Sequence, residues 1–197
     1  MRLSTLFAVA AMAVLFVPFV SAAEIQYSTV LSGTAEAPPN ASPGVGSGLV
    51  TVDVDLATMR VESSFSGLLG NVTASHIHCC TADAGTGTAG VATPVPTFPG
   101  FPSAVTSGTY DMTLDLNLPS SFNPAYVTAN GGSVSAATSA LLAGLDTGRA
   151  YLNIHTSMFP GGEIRGFLQV VPEPASWALL LMGLGVAALT QRRHKRV

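Results

Sequence analysis

The chain has 197 residues, 48% of them apolar and 10% charged, with a formal net charge of −3 at pH 7. It is too apolar and too weakly charged for a disordered polypeptide, and its length suits one domain with appendages. Two cysteines are too few for a disulfide scaffold, and eight Lys and Arg against eleven acids exclude a nucleic-acid footprint. In chain order the first element is Met1-Arg2-Leu3, an apolar run to Val20 and the small residues Ser21-Ala22-Ala23. A cation, a short apolar core and small residues before a polar segment read as a secretory signal peptide over residues 1–23, with signal peptidase expected to cut after Ala23.

Residues 24–171 carry Arg60, Arg149 and Arg165 as their cations, no lysine and ten carboxylates, so the exported body is seven charges negative. Such a surface repels nucleic acid and anionic headgroups and attracts cations. Its pattern is mainly β. Val50–Leu56 alternates apolar and polar with period two, as a half-buried strand does. Tyr27–Leu31, Arg60–Ser66, Val72–His78, Thr109–Leu118, Ala150–Thr156 and Ile164–Val171 read as further strands. Turn chemistry separates them, as in Pro38-Pro39-Asn40, Ser42-Pro43-Gly44 and Pro160-Gly161-Gly162. Ser133–Leu145 has helical spacing, with Ser133 or Ser135 as its cap and Gly144 as its end. Thr81–Ser107 is a long loop rich in Gly, Thr, Ala and Pro, hence functional or mobile. The expected fold is all-β, an antiparallel Greek-key-like sandwich or barrel with one short helix.

His76-Ile77-His78 and Asn153-Ile154-His155 hold every histidine of the body. On a strand, residues i and i+2 share a face, so both isoleucines facing the core places all three histidines on the outer face. Such a triad is suited to one Cu or Zn ion. In the last hairpin, one register with Ile154 and Ile164 both inward pairs His155 with Glu163 and Asn153 with Arg165. Glu163 then orients the imidazole of His155 or serves as a fourth ligand. The competing account is a structural Glu–Arg and His hydrogen-bond network that closes the sheet. Cys79-Cys80 leaves three readings open: a vicinal disulfide, soft metal ligands beside His78, or intermolecular bonds.

Beyond the body, Pro172-Glu173-Pro174 leads into the sixteen uncharged residues Ala175–Thr190, then Gln191-Arg192-Arg193-His194-Lys195-Arg196-Val197. About 20 apolar residues cross a bilayer, so this transmembrane helix is short and relies on snorkelling arginines. The cationic tail belongs in the cytoplasm, which puts the body on the outer side of the inner membrane. These three features, in order at the C-terminus, resemble the PEP-CTERM sorting signal of Gram-negative bacteria. That resemblance implies recognition by an exosortase, which cuts near Pro172–Pro174 and sends the protein to the cell surface or the medium. The domain plan is therefore 1–23 signal peptide, 24–170 β domain and 171–197 sorting signal.

The body resembles the CHRD domain, first recognised in chordin. The matching pieces are Leu31-Ser32-Gly33-Thr34-Ala35-Glu36-Ala37-Pro38-Pro39, His76-Ile77-His78, Gly148–Thr156 and Phe159–Gly166, spread in order over about residues 25–170. The resemblance implies an all-β extracellular module and no particular reaction. Cys79-Cys80 departs from the small residue that often follows the His-Ile-His strand in that family.

The sequence contains no G-x-S-x-G elbow, Walker loop or H-E-x-x-H helix. The leading expectation is thus a non-enzymatic module of the cell surface or an exopolysaccharide matrix. A second is a mononuclear Cu or Zn protein or redox enzyme. The H-x-H strand is similar to one piece of the copper/zinc superoxide dismutases, but their two-metal site uses six histidines and an aspartate, more than this body has. A third is a polysaccharide-binding or adhesive module with Tyr110, Tyr126, Tyr151, Phe98 and Phe101 as an aromatic platform.

Overall fold

The computed structural model describes residues 24–172 and 182–184. The expected signal peptide, Glu173-Pro174 and the basic tail with Arg192, Arg193, Lys195 and Arg196 lie outside the described residues. Among the described residues no helix is long and apolar enough to cross a membrane.

The β strands are β1 (Glu24–Ser32), β2 (Val45–Asp53), β3 (Thr58–Ser66), β4 (Val72–His78), β5 (Gly108–Asp115), β6 (Tyr151–Thr156), β7 (Ile164–Phe167) and β8 (Gln169–Val170). They form one antiparallel sheet in the order β4-β6-β7-β1-β2-β3-β5, with β8 paired to β1. This sheet is curled into a half-barrel, the barrel form of the expected all-β fold. Two helices, α1 (Pro124–Ala129) and α2 (Val134–Asp146), connect β5 to β6.

Alternation sets the core. Val50 and Val52 of β2, Met59, Val61 and Phe65 of β3, Ile77 of β4, Leu152 and Ile154 of β6 and Ile164 of β7 form one buried cluster, closed by Leu141 and Leu145 of α2. Ser133 caps α2 as its sequence suggests, accepting from Ala136 N. Gly144 does not end the helix. It is buried inside α2 against Cys79 and Cys80, where a Cβ has no room, and Gly148, at φ +66°, takes the left-handed turn instead.

Three strands end earlier than their patterns suggest, the expected Thr109–Leu118 among them, since β5 stops at Asp115. Asp53 Oδ1 accepts from Asp55 N and Leu56 N, folding the chain into a turn that leaves Val54 and Leu56 exposed. The expected strand Ile164–Val171 breaks at Leu168, whose N–H donates to Ala150 O. The aromatic platform is not formed either. Phe98, Phe101, Tyr110, Tyr126 and Tyr151 are all buried, and Phe101 stacks between Phe65 and Tyr110 with ring centroids 5.7 and 4.9 Å away.

Candidate metal centre

Register brings the three histidines together. β4 and β6 pair antiparallel with His76 opposite Asn153, His78 opposite Tyr151 and Ala74 opposite His155. β6 and β7 pair with Asn153 opposite Arg165 and Ile154 opposite Ile164, the register that the two isoleucines require. One face of this three-stranded end thus carries His76, His78, Tyr151, Asn153, His155, Arg165 and Phe167. The opposite face carries the core isoleucines.

The histidine face is not open to solvent. The long loop folds back along the free edge of β4: Ser75 N donates to Thr97 Oγ1, Ile77 N to Thr93 Oγ1, Ala92 N to Ile77 O and Phe98 N to Ser75 O. This covers an edge strand that would otherwise expose unpaired groups. The same loop carries two backbone carbonyls onto the imidazoles. His76 Nε2 donates to Pro96 O (2.6 Å) and His78 Nδ1 to Ala89 O (2.9 Å), while the turn after β6 supplies Pro160 O to His155 Nδ1 (2.9 Å). His76 is 6% and His78 8% exposed, and His155 is half-buried.

Donation from one ring nitrogen fixes the tautomer and leaves a lone pair on the other. Those other nitrogens, His76 Nδ1, His78 Nε2 and His155 Nε2, are buried without a partner. One ring nitrogen of each histidine lies within 4.8 Å of those of the other two, and the ring centroids are 5.3 to 5.9 Å apart. Burial lowers all three imidazole pKa values, against the raising effect of the carbonyl bonds, and takes that of His78 down to about 4. Neutral imidazoles with converging lone pairs are what a transition-metal ion requires. The backbone carbonyls behind them are the usual outer partners of ligating histidines.

Around the triad, the Tyr151 ring stacks on His78 at 4.8 Å and its hydroxyl bonds the backbone of Ala89. The Arg165 guanidinium lies over the Tyr151 ring, 4.7 Å from its centroid, donating to Ala35 O and Gly87 O, with Glu36 Oε2 3.7 Å from its Nε. Glu36 is 7% exposed, and burial, partly offset by Arg165, pushes its carboxyl up to about 7.

Glu163 lies elsewhere. Its carboxylate accepts from Ser42 Oγ (2.6 Å), Thr156 Oγ1 (2.7 Å), Leu69 N (2.6 Å) and Gly70 N (3.1 Å), so the acceptor of the His155 imidazole is Pro160 O and not Glu163. Burial alone would raise the Glu163 pKa; these four bonds outweigh it and hold the carboxyl below its ordinary value. Cys79 and Cys80 are bonded to each other and pack near Ala140 O and Tyr126, leaving no thiolate for a metal. A surface hollow lined by Val45, Gly46, Ser47, Ser64, Phe65, Ser66, Gly108 and Thr109 contains no histidine.

Residue type alone did not single out Glu36, although it lies inside the Leu31–Pro39 segment, and it assigned Tyr151 to an aromatic platform and not to the histidine face. Asn153 and Arg165 entered only as register partners. The signal that could have found them is the face they share with the histidines.

Two family models match the chain. The CHRD domain model covers residues 27–168, and the model of the PEP-CTERM protein-sorting motif covers residues 170–196. No curated protein and no solved structure matches it. The first match takes in every strand that builds the histidine face and well over half of the sequence, so the chain belongs to the CHRD-domain family, here with a PEP-CTERM sorting motif behind the domain.

Proposed function

We propose that this exported, exosortase-processed CHRD module binds one Cu or Zn ion through His76, His78 and His155, and acts outside the inner membrane as a metal-binding component of the cell surface or its matrix. The observation that carries the reading is three histidines with one ring nitrogen each within 4.8 Å of the others, every ring anchored by a backbone carbonyl and keeping a second, buried nitrogen without a partner. A buried polar atom left unpaired costs about 1–3 kcal/mol, and three in one place call for a shared partner. The sorting motif supports the location, and the excess of acids over cations in residues 24–171 supports a surface that gathers cations. Signal peptidase, exosortase and an exopolysaccharide matrix are the partners this reading assigns. Nothing in it requires turnover.

The test is the metal content of the full chain purified in detergent, after exposure to Zn²⁺ and Cu²⁺ and removal of free metal. Roughly one ion per chain is expected, falling to background in a His76→Ala/His78→Ala variant and in His155→Gln. Far-UV circular dichroism checks that both variants keep the β fold. Less than roughly 0.1 ion per chain in the unmodified protein would sink the reading and leave a purely structural hydrogen-bonded triad.

A further inference from the structure

Six buried side-chain nitrogen or oxygen atoms lack a partner among the described residues: Glu36 Oε1, Ser63 Oγ, His76 Nδ1, His78 Nε2, Asn153 Oδ1 and His155 Nε2. All except Ser63 belong to the histidine end of the sheet. If the three nitrogens face an ion, Glu36 Oε1 and Asn153 Oδ1 are still unexplained. Both side chains are more than nine-tenths buried, Glu36 at 7% and Asn153 at 2% exposure. They meet at Gly162, where a Cβ would have no room, standing 2.6 Å from Glu36 Oε1 and 2.6 and 2.7 Å from Asn153 Nδ2 and Oδ1. The missing side chain lets both groups close up against the chain at one point. That point adjoins the triad, because Asn153 lies opposite His76 across the ladder and two residues before His155 on the same face.

Two acceptors beside a cation site need a group that offers two hydrogens in one direction and a lone pair in the other. Water has that form. Resting on the three-histidine reading, we propose that the bound ion carries a water molecule as its fourth ligand, held through hydrogen bonds to Glu36 Oε1 and Asn153 Oδ1. The centre is then of the open kind, three protein ligands and an exchangeable position, and not a closed structural one. Its ligand class is water and the hydroxide it forms. Glu36 and Asn153 are positioning residues, acting on the water and not on the metal. Arg165, whose Nε is 3.7 Å from Glu36 Oε2, offsets the negative charge when Glu36 is ionised.

Cobalt reports coordination directly, so the experiment loads the full chain in detergent with Co²⁺ and follows its visible spectrum. The expected result is one Co²⁺ per chain and a spectrum that changes with pH as the bound water ionises. Glu36→Gln keeps the Co²⁺ stoichiometry and lowers the midpoint of the pH change by about one unit, because a carboxylate beside the water opposes its ionisation. Glu62→Gln, on the outer face of β3, leaves the midpoint where it was. A protein that binds one Co²⁺ but whose spectrum ignores pH between about 5.5 and 9 overturns the proposal and leaves the three-histidine site standing. The same holds if Glu36→Gln has the unmodified midpoint. Failure to bind Co²⁺ at all removes the site itself, and the unmodified chain alone decides both questions if the variant misfolds.

Discussion

The two ends of the curled sheet treat charge in opposite ways. At the β3–β5 end, Arg60 stands in water with its side chain 47% exposed, in a bidentate pair with Asp111 (2.8 and 2.7 Å) and 3.0 Å from Glu62. At the β4–β6–β7 end, the Arg165 side chain is 5% exposed and holds the carbonyls of Ala35 and Gly87, and five buried acceptors at the same end have no partner. The alternating strand pattern is the same at both ends. What differs is the cover: the long loop and the Leu31–Pro39 segment close over one face and leave the other wet. Burial of polar groups is unfavourable unless each finds a partner. A cluster of unmatched acceptors at one end therefore supports the site proposed there, whereas matched ion pairs at the other mark a solvated surface.

Arg165→Met is the strongest way to break this contrast. It removes the donors to Ala35 O and Gly87 O, leaves Glu36 without its cation and replaces a guanidinium packed by Tyr151 and Phe167. Loss of one partner from a buried charged network costs about 3–5 kcal/mol, so the urea midpoint should fall steeply. Arg165→Lys should recover little, because an ammonium cannot span two carbonyls as a planar fork does. A midpoint within error of the unmodified protein would show that this end is not under the tension its burial implies.

Glu163→Gln comes next and separates the structural acid from the metal centre. The carboxylate joins the segment before β2, the β3–β4 loop and β6 through four donors. An amide can accept with one end only, and the loss should be about 2 kcal/mol at pH 7 by urea denaturation. Its pH dependence has a definite sign. The folded pKa is held below the ordinary value, so the stabilisation is full above the unfolded pKa of about 4.3 and disappears as pH falls through the folded one. The gap between the unmodified protein and Glu163→Gln should therefore narrow in acid, and Zn²⁺ content at neutral pH should not change. Loss of Zn²⁺ in a folded Glu163→Gln would return Glu163 to the metal site.

Much of this division is legible in the sequence, and the reasons for the rest are physical. Period two revealed β2, β3 and the same-face pairing of His76 with His78, because alternation is a local property. The paired isoleucines limited the β6–β7 register to even slips, because an odd slip would turn Ile154 or Ile164 into water. The cover over the histidines was not legible, since Pro96, Ala89 and Pro160 act through carbonyls that every residue possesses. Glu163 was misplaced for a related reason: opposite positions predict a shared face, but Gly162, at φ +130°, redirects the chain just before it. Gly144 looked like a helix end, although its smallness serves the packing of Cys79 and Cys80 against α2.

The smallest expected effect sharpens the comparison from the other side. Arg60 and Asp111 show shifted pKa values in the directions an ion pair gives, Arg60 raised and Asp111 lowered chiefly by their mutual hydrogen bond. Both groups are open to solvent, however, and an exposed pair exchanges good hydration for a weak, salt-screened attraction while immobilising two side chains. Arg60→Met should leave the urea midpoint within experimental error, and added salt should not alter that difference. Bidentate geometry makes this a demanding case, because it is the arrangement in which a surface pair has its best chance to contribute. If Arg60→Met proves as damaging as Arg165→Met, geometry and not burial governs the charges of this sheet, and the unmatched acceptors at the histidine end lose their diagnostic value. If only Arg165→Met is damaging, the cover over β4, β6 and β7 is what turns ordinary polar residues into a site.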